Sequence, residues 1–319
     1  MTGERCSDTS LARGEPLFAT ASSVMRWVLV EQPGAWARSA PPTERDDPER
    51  TASLREQAMR WKGRYLAIRR PSSAPDDVGR TVFVAQSRPG AEHLLRLHVP
   101  DPADLRDVSL PEDLDEPGPG WQRETQPLFA VCTHGKHDVC CAVKGRPLAA
   151  ALSEARPDLV WEVSHIGGDR FAPNVVVLPA GWYFGRVPPS EAAQFTSSVV
   201  AGQLPLRQYR GRSAYVPAVQ AAQHFAAEQL SGGLSDGLAE GLSEGSAADL
   251  VDAEAFRPLH CERVGESSWR VELRGRDETR LEAIVHRDVD STPVLLTCHA
   301  DAARHPPIFR LEALRARPG

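Results

Sequence analysis

The sequence predicts an α/β (α+β) protein made of a small α/β unit, a second α/β unit and a small C-terminal antiparallel β unit. Three observations predict this. The 319 residues exceed what one compact core usually holds. Up to about residue 230, apolar runs of strand length alternate with stretches of helical periodicity. Beyond a Gly/Leu/Ser-rich stretch, polar and apolar residues alternate instead, as in a sheet exposed on one face. The expected units are 1–120, 121–230, a linker over 231–255, and 256–319.

Residues 1–20 read as a loosely ordered lead-in. Trp27-Val28-Leu29-Val30-Glu31 reads as a buried strand ended by the turn chemistry of Gln32-Pro33-Gly34. A helix is expected over residues 48–62, where Pro48 suits a first turn and Leu54, Ala58 and Trp61 recur at helical spacing. Three strands follow at Tyr65–Ile68, Thr81–Ala85 and His93–Val99, and the acidic, Pro/Gly-rich residues 101–120 read as a linker.

In the second unit, Pro127–Val131 is an apolar strand that delivers Cys132. A helix is expected with Pro147 near its first turn and Leu148, Ala151, Leu152 and Ala155 on one face. Val160–Ser164 is a strand that delivers His165. Asn174–Pro179 and Trp182–Val187 form a hairpin around Ala180-Gly181, and a helix spans residues 190–202. This β–α–β–β–α order is that of a thioredoxin-like domain. A further helix is expected over about 216–230. Residues 231–248 repeat Gly-Leu-Ser/Ala-Asp/Glu, and Gly237, Gly241 and Gly245 each cost roughly 1 kcal/mol in a helix, so the segment reads as flexible. Strands at Trp269–Leu273, Leu281–Val285 and Val294–Cys298 make the last unit.

The 41% hydrophobic and 25% charged residues are ordinary for a globular protein. A net charge of −6 and a pI near 6.0 give no reason to expect nucleic-acid or anionic-membrane binding. The polar start Met1–Cys6 lacks the pattern of a secretory signal, and no run approaches the ~20 apolar residues of a membrane span. A cytoplasmic location is expected. In that reducing setting the six cysteines read as metal ligands, reactive thiols or core residues rather than disulfides.

The strongest chemical signal is Cys132-Thr133-His134-Gly135-Lys136-His137-Asp138-Val139-Cys140-Cys141, followed by Ser164-His165-Ile166-Gly167-Gly168-Asp169-Arg170-Phe171. As spacing it is Cys-x8-Cys-x23-His-x3-Asp. Both halves follow a strand, and such loops gather at one end of an α/β sheet, where two thiolates and two nitrogen or oxygen donors can converge. Gly135, Gly167 and Gly168 leave room for sharp turns around a bulky centre.

These residues resemble the sucrase/ferredoxin-like family, whose members contain a thioredoxin-like ferredoxin domain. The specific part is Cys132-Thr133-His134-Gly135, Asp138, Cys141 and His165-x-Gly167-Gly168, with Phe171-Ala172-x-Asn174 after it; Arg5-Cys6-Ser7 and Trp27–Trp36 extend the likeness. The resemblance implies a [2Fe-2S] cluster held by Cys132, Cys141 and His165, in a one-electron carrier that serves a redox partner protein rather than a stand-alone enzyme. Cluster-binding members show His-x-Gly-Gly-His, whereas here Asp169 stands at the second histidine. A carboxylate in place of a neutral imidazole adds one negative charge. The potential of such a centre falls below that of a two-His cluster and stays above that of a four-thiolate one. If Asp169 does not ligate, Cys140, His134, His137 or water fills the place.

The residues themselves leave other readings open. A zinc site of Cys2HisAsp type uses the same donors. A thiol-disulfide oxidoreductase would work through Cys132 and Cys140 or Cys141, although such enzymes usually space their cysteines two apart at a helix start. The family's "sucrase" label suggests glycoside hydrolysis, which needs two carboxylates about 5–10 Å apart, and no motif presents such a pair. Cys140 reads as a packed small residue, and Cys6, Cys261 and Cys298 as buried cysteines. His134, His137 and Asp138 read as turn-forming. His260-Cys261 and Cys298-His299 do not read as a joint site, because neighbours on a strand face opposite ways. Trp27, Trp61, Trp161 and Trp182 are assigned to the core.

Overall fold

The computed structural model describes residues 5–41, 47, 49–71, 79–235 and 250–317. Eleven of its strands and four of its helices precede residue 217. In chain order these begin with α1 (Cys6–Ala12), β1 (Arg26–Glu31), α2 (Ala52–Arg60), β2 (Arg64–Arg69), β3 (Arg80–Arg88), β4 (Ala91–Val99) and β5 (Gln122–Arg123). Then come β6 (Leu128–Cys132), α3 (Val139–Ala155), β7 (Val160–Val163), β8 (Asn174–Leu178), β9 (Trp182–Gly185), α4 (Ala192–Val200), β10 (Gln203–Pro205) and β11 (Tyr209–Arg212).

Ten of the strands form one sheet in the order β11-β9-β8-β6-β7-β2-β1-β3-β4-β5. Two blocks of it repeat one arrangement. In each, two parallel strands are joined across a helix (β1-α2-β2 and β6-α3-β7), and the first of them pairs antiparallel with a following hairpin (β3-β4 and β8-β9). The blocks meet where β2 pairs antiparallel with β7, Ile68 opposite Val163 and Arg69 opposite Glu162. An Arg69–Glu162 hydrogen bond of 2.6 Å and the Ser164 N–H donating to the Ala67 carbonyl at 2.8 Å extend this seam. The sheet therefore runs unbroken across residue 120, where a unit boundary was expected.

Strand alternation sorts the side chains onto two faces. Trp27, Leu29, Leu66, Ile68, Phe83, Leu128, Ala130, Cys132, Trp161, Val163, Val176 and Tyr183 share one core on the inner face of the curled sheet. On the other face Val28, Val30 and Tyr65 pack with Leu54 and Ala58 of α2, while Phe129, Val131, Val160 and Val175 pack with α3 and α4.

Beyond the sheet lie α5 (Pro217–Ser235), β12 (Leu250–Asp252), which pairs with β10, and the strands β13 (Phe256–Arg263), β14 (Ser268–Gly275), β15 (Arg280–Val289) and β16 (Pro307–Arg317). These last four make an antiparallel sheet in chain order. Ala218, Ala222 and Ala226 of α5 cover its inner residues Val271, Leu273, Ala283 and Val285. The architecture is thus α+β with a separate C-terminal antiparallel sheet, as the sequence predicts. Among the described residues no helix is long and apolar enough to cross a membrane.

Several elements differ from expectation. The lead-in contains α1, because Ser10 and Glu15 find buried partners in each other and in Arg186 and Arg170. Residues 101–120 hold a 3-10 turn (Pro102–Asp107) with Leu105 and Leu114 buried, and Gln57 of α2 bonds both the Val108 carbonyl and the Leu110 N–H. α3 starts eight residues before Pro147, since Asp138 caps it, so Pro147 lies inside the helix. α5 continues to Ser235, past the expected linker start; the remaining repeat glycines at 237, 241 and 245 lie outside the described residues, as does Pro48. Val294–Cys298 is not a strand: β16 takes the place beside β15, leaving Val294 a single bridge to Arg304.

Candidate metal centre

Cys132 ends β6 and turns into the inner core together with Ala130. The chain then makes a tight turn stapled by side chains. Thr133 Oγ1 donates to Glu162 Oε2 at 2.9 Å, and the Asp138 carboxylate accepts the Cys140 N–H at 2.8 Å, capping α3. Cys140 and Cys141 thus sit in the first turn of a helix rather than on a loop. Successive helix residues diverge by about 100°, so the two point apart. Cys141 joins Cys132 in the inner core, whereas Cys140 packs with Cys6 and Ala172. α3 comes so close to β6 that a Cβ on Gly145 would lie 2.1 Å from the Cys132 carbonyl oxygen.

His134 acts as a strut. Its Nδ1 accepts the His165 N–H at 3.3 Å and its Nε2 lies 2.6 Å from the Ala37 carbonyl, which assigns the proton to Nε2. Burial pushes its pKa down and keeps it neutral. Trp36 meets the ring edge-on at 5.7 Å and carries the Arg69 guanidinium on its face at 4.3 Å. Trp27 and Trp161 are core residues as expected, while Trp61 and Trp182 are half-buried.

β7 leads into His165, whose carbonyl accepts from Arg64 Nη2 at 3.0 Å. Gly167 and Gly168 then take φ of +96° and +81°, conformations that side chains disfavour, and return the chain to Asp169. Beneath this turn lies Arg210, an arginine only 1% exposed. It donates to the Gly167 carbonyl (3.1 Å), Asn174 Oδ1 (2.8 Å), Thr20 Oγ1 (3.0 Å) and the Thr20 carbonyl (2.7 Å). Burial pulls its pKa down to about 10, which leaves it charged at neutral pH.

The outcome is a convergence. Ligand atoms of Cys132, Cys141 and His165 all lie within 4.8 Å of one another. Asp169 Oδ1 accepts from the Cys141 thiol at 3.1 Å and lies 2.9 Å from His165 Nδ1. Arg170 turns away from Asp169 and pairs with Glu15 at 2.7 Å. His137, read from the sequence as turn-forming and as one substitute for Asp169, forms an overlapping group within 4.8 Å with His165 and Asp169, the two imidazole rings 4.0 Å apart. Cys132, Cys141 and Asp169 are fully buried, while the His165 side chain keeps 19% of its surface.

The electrostatics match a donor set. The Cys141 thiol, hydrogen-bonded to Cys132, lowers the pKa of Cys132 against the opposing effect of burial, and His165 adds to this. Cys141 rises correspondingly, pushed up by the neighbouring Cys132 and by burial, so the two thiols titrate as a coupled pair. Burial raises Asp169, but His165 and Cys141 outweigh it and hold the carboxyl below its usual range. Burial lowers His165, but Asp169 and Cys132 prevail and raise it. Asp169 Oδ2 is buried with no hydrogen-bond partner. Two sulfurs, an imidazole and an orphaned carboxylate oxygen fit a thiophilic metal or iron–sulfur centre.

Arg210, Arg64 and the strand-end loop around Trp36 were missed by sequence reasoning. No local pattern marks them, because their role arises from burial against residues more than 30 positions away.

Among known proteins, the family model described as sucrase/ferredoxin-like matches residues 17–211, more than half of the chain. No curated protein and no solved structure matched it.

Proposed function

Given that the chain belongs to the sucrase/ferredoxin-like family, we propose that it is a one-electron carrier binding a [2Fe-2S] cluster through Cys132, Cys141, His165 and Asp169. The observation that carries this reading is the meeting of two buried thiols and an imidazole within 4.8 Å at one end of the sheet. Bound there, such a cluster supplies reversible one-electron uptake. The chain's own residues set its terms. Cys132, with its lowered pKa, is the readier thiolate. Asp169 contributes a negative charge that disfavours electron uptake, and the Arg210 and Arg64 guanidiniums behind the Gly167-Gly168 turn oppose it. His165 offers the one partly exposed edge, so it is where electrons and a coupled proton pass to a redox partner protein. A cytoplasmic setting belongs to the same proposal, since free thiols persist there.

A second reading is a single zinc ion. The compactness of the donors favours it: Zn–S near 2.3 Å and Zn–N near 2.0 Å place tetrahedral ligands roughly 3.5–4 Å apart. A thiol exchange enzyme using Cys132 with Cys140 is disfavoured, because Cys140 faces away from Cys132.

Anaerobic purification with iron, acid-labile sulfide and zinc analysis separates these, followed by EPR of the dithionite-reduced protein. Equal iron and sulfide, with a spectrum that changes in His165→Ala, is expected. Zinc without sulfide refutes the cluster. A spectrum altered by His165→Ala but not by Asp169→Ala removes Asp169 from the ligands.

A further inference from the structure

A second group of thiols lies behind the first. Cys6 opens α1, Cys140 is in the first turn of α3, and Cys298 lies in the segment between β15 and β16. Their sulfurs are 3.7 Å (Cys6–Cys140), 3.2 Å (Cys140–Cys298) and 3.5 Å (Cys298–Cys6) apart. Asp138 joins them: its Oδ2 is 4.0 Å from the Cys6 sulfur and accepts the Cys298 N–H at 2.6 Å. All four ligand atoms fall within 4.8 Å of one another.

Three thiols alone would pass as apolar packing. The carboxylate does not. Asp138 has no exposed surface, and among the described residues no arginine, lysine or histidine is within ion-pair distance of it. Two backbone N–H groups, of Cys140 and Cys298, hold the carboxylate. Yet four groups able to carry negative charge are gathered where burial penalises charge, with no described cationic side chain paired to Asp138, a setting that a metal cation would complete. A disulfide accounts for the arrangement poorly, because it consumes two sulfurs, leaves the third and ignores the carboxylate. A tetrahedral zinc with Zn–S of about 2.3 Å has sulfurs about 3.8 Å apart, close to the observed triangle. Oδ2 has a lone pair left after accepting the Cys298 N–H.

We propose that Cys6, Cys140, Cys298 and Asp138 form a structural zinc site, separate from the Cys132/Cys141/His165 centre. On binding, the thiols give up their protons to solvent and four protein donors close the coordination shell, leaving no position for a substrate. The ion staples together α1, α3 and the segment following β15, which are far apart in sequence. It also anchors the helix turn that carries Cys141. Cys6 and Cys298 lie outside residues 17–211, the part matched by the family model.

The test uses the full chain purified with both metals supplied. Wild type is expected to hold about one zinc per chain at this site, and Cys6→Ser and Cys298→Ser to lose it while keeping the metal of the first centre. Cys132→Ser is expected to do the reverse, so failure of either site is read separately, even if the first centre also takes zinc. Alkylation of wild type followed by peptide mapping gives a variant-free readout: Cys6 and Cys298 should react only after a chelator strips zinc. Zinc content unchanged in both variants, alkylation indifferent to the chelator, or a disulfide recovered among the three cysteines overturns the proposal.

Discussion

Gly145→Ala tests whether the contact between α3 and β6 sets the separation of Cys132 and Cys141. The new methyl carbon would lie 2.1 Å from the Cys132 carbonyl oxygen and 3.1 Å from its carbonyl carbon. Both atoms are backbone, so no rotamer change relieves the clash. Reaching ordinary contact near 3.4 Å requires α3 to retreat there by about 1.3 Å. Cys141 is one turn earlier on the same helix face and is carried with it. Alanine gains up to ~1 kcal/mol of helix propensity, while overpacking costs about 1–3 kcal/mol. The net loss is therefore about 0–2 kcal/mol, or up to roughly 3 °C in Tm for a chain of 319 residues. The site should suffer more than the fold, with metal affinity falling on the order of 10–100-fold, as for displaced supporting contacts. Metal content after gel filtration and melting of metal-free and loaded protein read both quantities. A variant that keeps wild-type metal content and melting would show that this contact does not govern the centre.

Arg210→Met should destabilise the metal-free protein by about 3 kcal/mol, because the Gly167 carbonyl, Asn174 Oδ1 and Thr20 carbonyl lose a common donor; denaturant curves measure this, and a loss below ~1 kcal/mol refutes the role of Arg210 as the floor of the turn. Asp169→Asn should lower the His165 pKa in metal-free protein below the ordinary 6.5, since burial then acts with less opposition; NMR titration of the ring protons decides, and an unmoved midpoint means the pair is not felt. His224 is held down to about 4 by burial. The unfolded chain therefore binds the extra proton between pH 6.5 and 4, so stability is complete above that window and is lost as pH falls through it. The full shift corresponds to about 3 kcal/mol, reduced by any help from Glu228, 3.2 Å away. His224→Phe, which keeps a ring stacked on Phe18 at the 4.0 Å spacing, should flatten the pH dependence measured in urea, and equal slopes would refute the assignment.

Local pattern carried most of the sheet. Val28–Val30, Leu66–Ile68, Val82–Ala85, Phe129–Val131 and Val175–Leu178 are runs whose burial follows from composition alone, and their strands lie where the sequence predicts. Pro147 points to a helix start near itself, whereas the cap from Asp138 starts α3 eight residues earlier. The Val294–Cys298 run has strand composition, but hydrogen bonding to β15 goes to β16, a competition that no local window contains.

The spacing of Cys132, Cys141, His165 and Asp169 was by itself enough to single out a donor set, because ligand chemistry is written in residue types and in the strands that deliver them. What the chain order could not tell was which cysteines share a face. Cys140 and Cys141 are adjacent in sequence, yet helical rotation sends one toward β6 and the other toward Cys6 and Cys298. The same holds for Arg210 under the Gly167 turn and for the β2–β7 seam that merges two blocks into one sheet. Each depends on contacts between distant segments, whose energy comes from burial and exists only once the chain has closed around them.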